Sequence, residues 1–349
     1  MLGETFCRKR ASLWIFAGVA FLLPGVVWLV QRRMGGVLPE SWIHLCMYLP
    51  AGGAVLALVC TSHQRKTLPS KFFGFYGIYV ASAVCYELGA WLFPQWICEE
   101  WLEFPLVEIA SVVGWFWLLS EPKERPNEWG LSWSTHGSVS VILLFLGLEF
   151  LSILLTAAMQ GTLWNGQFLQ IYRPFLDAFR TEPFWSIRLL FLPVSFLFTW
   201  LLCWGEEYGW RWFLQSRLER KWGLLTGAVL TGALWALWHI PAQLPVDTSM
   251  QDVLWFAAIK LAVCVPLGMF LAFACHRTGN IFVVALLHFL HNYLAGFLKP
   301  PMTAGLSVGW EALLVYIVSY SVFCLPLLWM VYQLSLIHIS EPTRPISIS

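Results

Sequence analysis

Charge is what this sequence has least of. Of 349 residues, 21 are Lys or Arg and 20 are Asp or Glu, so 12% are charged, about half the roughly 25% of soluble chains. So few charges cannot wet the surface of a globule of this length, which excludes a water-soluble or a disordered class. The near-balance, a net charge of +1, gives no basic field for nucleic acid. Cysteine provides no scaffold either. Nine is an odd number, no CxxC or zinc-finger spacing occurs, and Cys46, Cys60, Cys85, Cys203, Cys264 and Cys324 sit inside apolar runs. They read as buried, unpaired small hydrophobes. HExxH, internal repeats and low-complexity segments are also missing.

What is present is apolar. Hydrophobic residues make up 58%, against roughly 45–50% in ordinary globular chains. A spanning helix needs about 20 mostly apolar residues, and such windows fall at 13–31, 42–61, 73–93, 104–120, 138–159, 187–207, 223–240, 254–275, 280–298 and 311–333. The window at 104–120 is short and contains Glu108. Trp42, Trp91, Trp96, Trp101, Trp129, Trp133 and Trp310 crowd the window ends, as an interfacial aromatic belt does. The expected fold is all-α, a polytopic transmembrane helix bundle of about 8–10 spans.

Arg8-Lys9-Arg10 resembles the charged start of a signal peptide, but the first window ends in Gln31-Arg32-Arg33 without a small-residue cleavage site. An uncleaved first span is expected. With the N-terminus inside, the inner segments hold Arg8, Lys9, Arg10, Arg65, Lys66, Lys71, Lys123, Arg125, Arg211, Arg217, Arg220, Lys221 and Arg277; the outer ones hold only Arg32, Arg33, Arg173, Arg180, Arg188 and Lys299. The excess predicts a cytoplasmic N-terminus, in a membrane expected to be that of a bacterial cell. Residues 160–186 read as a polar, aromatic connection with room for an interfacial helix. From Leu336 to Ser349 the composition changes abruptly, and that tail reads as non-native and carries no function here.

An ionisable group at membrane depth costs roughly 2.5–3.5 kcal/mol on insertion scales, so each needs a reason. The candidates are Glu87, Glu108, Glu149, Glu206, Glu207, Arg211, His239, Lys260, His288 and His291. Six of them come from three nearby windows. In Glu206-Glu207-Tyr-Gly-Trp-Arg211, Glu207 and Arg211 are i,i+4 helix neighbours in the stabilising order. Glu206 is turned about 100° away and left without that partner, which suits a general base acting on water. A polar helix end is the other reading, because Arg217, Arg220 and Lys221 follow.

His239 follows Trp235-Ala-Leu-Trp. The polar break between the two helices centres on Lys221-Trp222-Gly223, with Glu206 and His239 each about 16 residues from it. An antiparallel hairpin brings both to one depth, where they can hold a water between them; a structural histidine is the alternative. In His288-Phe-Leu-His291-Asn292, His288 and Asn292 share a face and His291 sits about 60° round from His288. Two donors on one face can hold the oxyanion of a tetrahedral intermediate, or simply bond between helices. Asn is a poor metal ligand, which tilts this group away from a metal site. Glu87, Glu108 and Glu149 are either cavity-lining or interfacial, and Lys260 is expected to pair with one of them.

The three groups in this order, EExxxR, aromatic-xxx-His and HxxxN, resemble the CPBP intramembrane proteases. That family includes the CAAX prenyl endopeptidases and the bacteriocin-processing and immunity relatives labelled Abi. EExxxR alone is weak, whereas the full set in consecutive spans is specific, and it covers roughly residues 187–298. The second motif usually begins with Phe; Trp235 stands there in this chain and is expected only to pack. The resemblance implies a catalytic cavity inside the membrane. Glu206 would activate the hydrolytic water with His239 sharing it, Arg211 would hold Glu207, and His288 and Asn292 would form the oxyanion site. A zinc set would be Glu206, His239 and His288, incomplete by the usual standard, so no cofactor is favoured and zinc is the alternative. The implied organisation is N-terminal transmembrane helices over 1–186, a CPBP-like core over 187–300, a C-terminal transmembrane helix over 301–335 and the tail 336–349. Expected partners are membrane lipid and a membrane-associated peptide or protein substrate, with no nucleic acid. Two other functions compete: a non-proteolytic immunity or scaffold protein keeping the motifs for folding, and a secondary transporter, which predicts repeated halves that the sequence lacks.

Overall fold

The computed structural model describes residues 2–36, 38–39, 41–62, 65–93, 103–122, 129–131, 135–161, 173, 192–298 and 309–340. Among the described residues every regular element is helical, as a chain surrounded by lipid requires, because the backbone groups must be satisfied within each segment. In chain order the α-helices are α1 (Leu2–Ala17), α2 (Leu23–Met34), α3 (Trp42–Thr61), α4 (Ser70–Leu92), α5 (Glu103–Leu119), α6 (Ser138–Met159), α7 (Leu192–Glu207), α8 (Ser216–Trp222), α9 (Leu224–Gln243), α10 (Met250–Thr278), α11 (Ile281–Leu298), α12 (Trp310–Ser321) and α13 (Leu325–Ser340).

Seven helices among the described residues are long and apolar enough to cross a membrane: Arg10–Met34, Ser41–Thr61, Ser70–Leu92, Ser138–Met159, Leu224–Gln243, Met250–Thr278 and Trp310–Leu336. The windows at 104–120 and 280–298 become the shorter apolar helices Leu106–Leu119 and Ile281–Leu294. The protein is an integral multi-pass membrane protein. Large apolar side chains such as Trp14, Ile78, Leu119 and Val139 stay exposed on its outside, which lipid tolerates and water does not.

Two windings depart from the α-helix. Gly18–Leu22 forms a π-turn between α1 and α2, just before Pro24, which has no N–H to give the helix. Tyr208–Gln215 forms a longer π-segment that carries the chain from α7 into α8. Such insertions re-aim side chains and recur at functional sites.

Helix α7 is the centre of the bundle, packed against α3, α5 and α11. Helices α9 and α10 form an antiparallel hairpin, and α12 lies against α10 and α6. Trp200, Trp204, Trp210 and Tyr208 are fully buried along α7 and its π-segment. The close approach of α7 to α3 depends on Gly205 and Gly209. A Cβ on Gly205 would lie 2.6 Å from the Met47 carbonyl oxygen, and one on Gly209 would run into the Pro50 backbone. These two glycines form a GxxxG face bracketing the two glutamates, the small-residue contact by which membrane helices approach.

The cysteines Cys46, Cys203 and Cys264 are free and buried, whereas Cys60 and Cys85 are exposed. Helix α13 runs to Ser340, past the composition break at Leu336. The rest of the tail, most of the 160–186 connection, Trp96, Trp101, Trp133 and the basic residues Lys123, Arg125, Arg180, Arg188 and Lys299 lie outside the described residues.

Candidate active site

A cavity of about 460 Å³ is lined by Glu206, His239, His288 and Asn292, with Trp235, Lys260 and His291 among its other polar lining residues. The four site residues expected from sequence thus face one space. They come from three elements: Glu206 from the end of α7, His239 from the last turns of α9, and His288 and Asn292 from α11. Glu206, His239 and His288 are 3%, 6% and 3% exposed, so water reaches them only through the cavity. Asn292 stands at a more open edge. The chain reverses at Gly223, whose φ of 83° closes the turn between α8 and α9, where the polar break predicts it.

Glu207 and Arg211 pair as the spacing predicts, Arg211 Nε donating to Glu207 Oε2 at 2.8 Å, although the chain beyond Glu207 winds as a π-helix. Both side chains are fully buried. The pair does more than neutralise itself. Glu207 Oε1 also accepts from His288 Nδ1 at 2.7 Å, so one carboxylate holds a guanidinium of its own helix and an imidazole of α11. Donating from Nδ1 leaves His288 Nε2 as the nitrogen free to act.

His239 is held in a similar way. Its Nδ1–H donates to the Trp235 carbonyl oxygen at 2.7 Å, one helical turn back, and its Nε2 remains as an acceptor. Glu206 is not unpartnered: its Oε2 accepts a hydrogen bond from Trp235 Nε1 at 2.6 Å. This corrects the expectation that Trp235 only packs. Its ring also stands edge-on to His288, with centroids 5.2 Å apart, and Arg211 lies over it at 4.9 Å. One indole therefore touches all three motifs. Phe, usual at this position, offers a smaller aromatic face and no N–H.

The remaining acids sort differently from the sequence expectation. Glu149 of α6 accepts from His291 Nδ1, tying α6 to α11, and His291 faces the cavity on its other side. Glu87 is buried on α4 and faces a separate, apolar cavity. Lys260 pairs with none of Glu87, Glu108 and Glu149 at ion-pair distance among the described residues; it reaches the cavity of Glu206 and His239 instead. The reason is the side of α10 on which it falls, which faces α9.

A zinc ion needs about three protein ligands converging on one point. Among the described residues no three His, Cys, Asp or Glu side chains converge in that way, and one oxygen of Glu206 is already bound by an indole. The donor set Glu206, His239 and His288 does not fit a metal as it stands.

Comparison with known proteins bears on the same stretch. Residues 188–294 match the family model described as Type II CAAX prenyl endopeptidase Rce1-like. A CAAX prenyl protease 2 from Methanococcus maripaludis is 27% identical over 157 residues, 44% of this chain and 53% of that protein. The chain thus spans about half the length of the curated relative it matches. No solved structure matches it.

Proposed function

We propose, from membership of the CPBP family that the motifs and these matches support, that this protein is an intramembrane endopeptidase. It hydrolyses a peptide bond in a membrane-associated substrate, either a CAAX-type prenylated protein or a peptide precursor, with Glu206 activating the water. The observation that carries the reading is the convergence of Glu206, His239, His288 and Asn292 on one buried cavity.

Each step assigns a free atom. With Oε2 engaged by Trp235, Glu206 Oε1 accepts a proton from a water that also donates to His239 Nε2. The resulting hydroxide attacks the scissile carbonyl carbon. Asn292 donates its carboxamide N–H to the oxyanion, and His288 joins it through Nε2 when the ring carries both protons, a state its ion pair with Glu207 supports. Glu206 returns the proton to the departing amine as the C–N bond breaks. The burial of Glu206, His239 and His288 strengthens each of these interactions. The lack of a converging metal-ligand trio among the described residues supports a metal-free glutamate mechanism. The protein is further proposed to sit in a bacterial cell membrane with its N-terminus in the cytoplasm.

The test is cleavage of candidate membrane-anchored peptides by the wild type, Glu206→Gln and His288→Ala, each with and without a chelator. Glu206→Gln is expected to lose at least a hundredfold in kcat, on the scale of general-base loss, and His288→Ala a comparable amount. Full activity in Glu206→Gln overturns the mechanism. Abolition by chelator with recovery on adding zinc overturns only its metal-free form.

A further inference from the structure

Away from the candidate active site, α3 and α4 stand apart and leave an apolar groove of about 720 Å³. Gly52, Val55 and Val59 line it from α3, Gly74 and Gly77 from α4, and Val19 from the π-turn behind. Leu56 and Ile78 on its rim are exposed, so it opens toward lipid. The groove exists because α4 turns small residues into it. Ser70, Gly74, Gly77 and Ala81 follow at i, i+4, i+7 and i+11, one helical face, and a Cβ on Gly74 or Gly77 would meet nothing within 4 Å. Further from the α3–α4 turn the helices close, and a Cβ on Gly52 would lie 3.3 Å from Val80 Cγ1.

The groove is one leaflet deep. It runs from Gly52 to the end of α3 at Thr61, and from Ser70 to Ala81 on α4, about 14 and 16 Å at 1.5 Å per residue. Half of a hydrocarbon core of roughly 30 Å has the same depth. Its mouth is basic. The turn between the two helices carries Arg65 and Lys66, and Lys71 follows in the first turn of α4. Lys66 and Lys71 are exposed. Lys71 Nζ donates to the Ser120 carbonyl at 3.1 Å, and Trp129 Nε1 donates to that of Thr67 at 3.0 Å, which anchors the turn. An ammonium has three donors, so that bond leaves Lys71 able to make another. Glu121 beside it is buried and caps α4, its Oε1 accepting from the backbone N–H groups of Lys71 and Phe72. The helix end is therefore satisfied already, and the cations that a ligand meets are side chains.

We propose that this groove binds one anionic phospholipid, an acyl chain lying along Gly74 and Gly77 with its phosphate at Lys66 and Lys71. A neutral lipid fits the apolar part equally well but gains nothing from basic residues at headgroup level, whereas an anionic one gains with each. A soluble anion lacks the chain for which the groove has room. The inference gives the N-terminal helices a ligand of their own, and it does not depend on the peptidase reading.

The experiment titrates the full-length protein in a neutral detergent with phosphatidylglycerol and with phosphatidylcholine of the same chains, and counts bound lipid by native mass spectrometry. The wild type is expected to hold one phosphatidylglycerol at least about tenfold more tightly than phosphatidylcholine, the scale of two or more basic residues near a headgroup. Lys66→Gln with Lys71→Gln is expected to reduce that preference to within about threefold, Arg65 being left in place. Gly77→Leu puts a side chain into open space and raises helix propensity; it is expected to weaken both lipids while unfolding normally in lipid-free detergent. Gly74→Leu, on the same face, repeats that arm independently. Equal binding of the two lipids by the wild type, which requires no variant to fold, overturns the proposal. So does a phosphatidylglycerol preference that survives both the lysine pair and the groove-filling variants. Loss of preference with the lysines but full binding in both leucine variants puts the lipid on the turn and outside the groove, which also overturns it. Displacement by inorganic phosphate alone reduces the site to an anion site. A farnesylated peptide that displaces phosphatidylglycerol and binds regardless of the lysines gives the groove to an isoprenoid instead, and either result removes the phospholipid.

Discussion

Trp235 Nε1 donates to Glu206 Oε2 at 2.6 Å, which fixes one oxygen of the candidate general base and turns the other toward the cavity. The same residue's carbonyl holds His239. A single residue thus sets the orientation of two side chains that come from different helices.

Trp235→Phe keeps an aromatic ring at a position packed against His288 and Arg211, and removes the N–H together with one of the two fused rings. Phe is the residue usual at this motif position, so the variant is expected to fold. A lost hydrogen bond to a charged group is worth about 1.5–3 kcal/mol, but a re-oriented Glu206 regains part of it from water. The expected result is a kcat lower by about three- to tenfold with KM nearly unchanged. Trp235→Ala is expected to lose about 3–5 kcal/mol of stability through its cavity as well. Peptide cleavage kinetics beside thermal unfolding in detergent checks both, and a Trp235→Phe enzyme with wild-type kcat removes the positioning role.

The buried triad of Arg211, Glu207 and His288 makes a second prediction. Arg211 is 1% exposed, and its two terminal nitrogens have no hydrogen-bond partner, so Glu207 and the Trp235 ring are what hold it. Removing one member of a buried pair leaves an uncompensated charge and costs about 3–5 kcal/mol. Arg211→Met alone is therefore expected to lower the unfolding temperature strongly. Arg211→Met combined with Glu207→Gln is expected to recover much of that loss. Activity is not expected to return with it, because a neutral amide holds His288 less firmly than a carboxylate does. Recovery of both stability and kcat in the double variant shows that Glu207 matters only as a counter-ion.

Much of this was readable in the sequence, and the gaps have a common cause. The helices follow from apolar runs long enough to cross a bilayer, and the Glu207–Arg211 pair from helical periodicity, because both are local properties of the chain. Gly223 as the turning point is local too. What periodicity does not carry is which side of one helix meets another. The Glu207–His288, Glu149–His291 and Trp235–Glu206 bonds each join separate helices, and the side of α10 on which Lys260 falls decides that it meets none of Glu87, Glu108 and Glu149. The GxxxG formed by Gly205 and Gly209 overlaps the EExxxR motif, and which helix its small face meets is again not a local property of the chain. It is the device that seats both glutamates against α3.

The N-terminal helices carry no motif, and their contact with the rest of the protein suggests what they do. Arg32 Nη1 donates to the Val246 and Thr248 carbonyls at 2.8 and 2.7 Å. Trp28 Nε1 donates to the Leu244 carbonyl at 2.9 Å, and Trp42 Nε1 to that of Pro241 at 2.8 Å. Three of these bonds clamp the connection between α9 and α10, and the fourth holds the last turn of α9, just after His239; the connection leads to the helix bearing Lys260. Removing the clamp should loosen that connection without unfolding the bundle, because α1 still packs on α3. Arg32→Ala with Trp28→Phe is expected to cost about 1–3 kcal/mol locally, three half-exposed bonds at the modest net value of each. Amide exchange over residues 244–249 should then quicken by about tenfold or more, since exchange reads local opening free energy, while that of α7 stays unchanged. Peptide cleavage should fall only a few-fold, with His239 and Lys260 less well held. Unchanged exchange at 244–249 means that the connection is fixed by α9 and α10 themselves, and faster exchange throughout α7 means that α2 supports the bundle as a whole rather than this clamp.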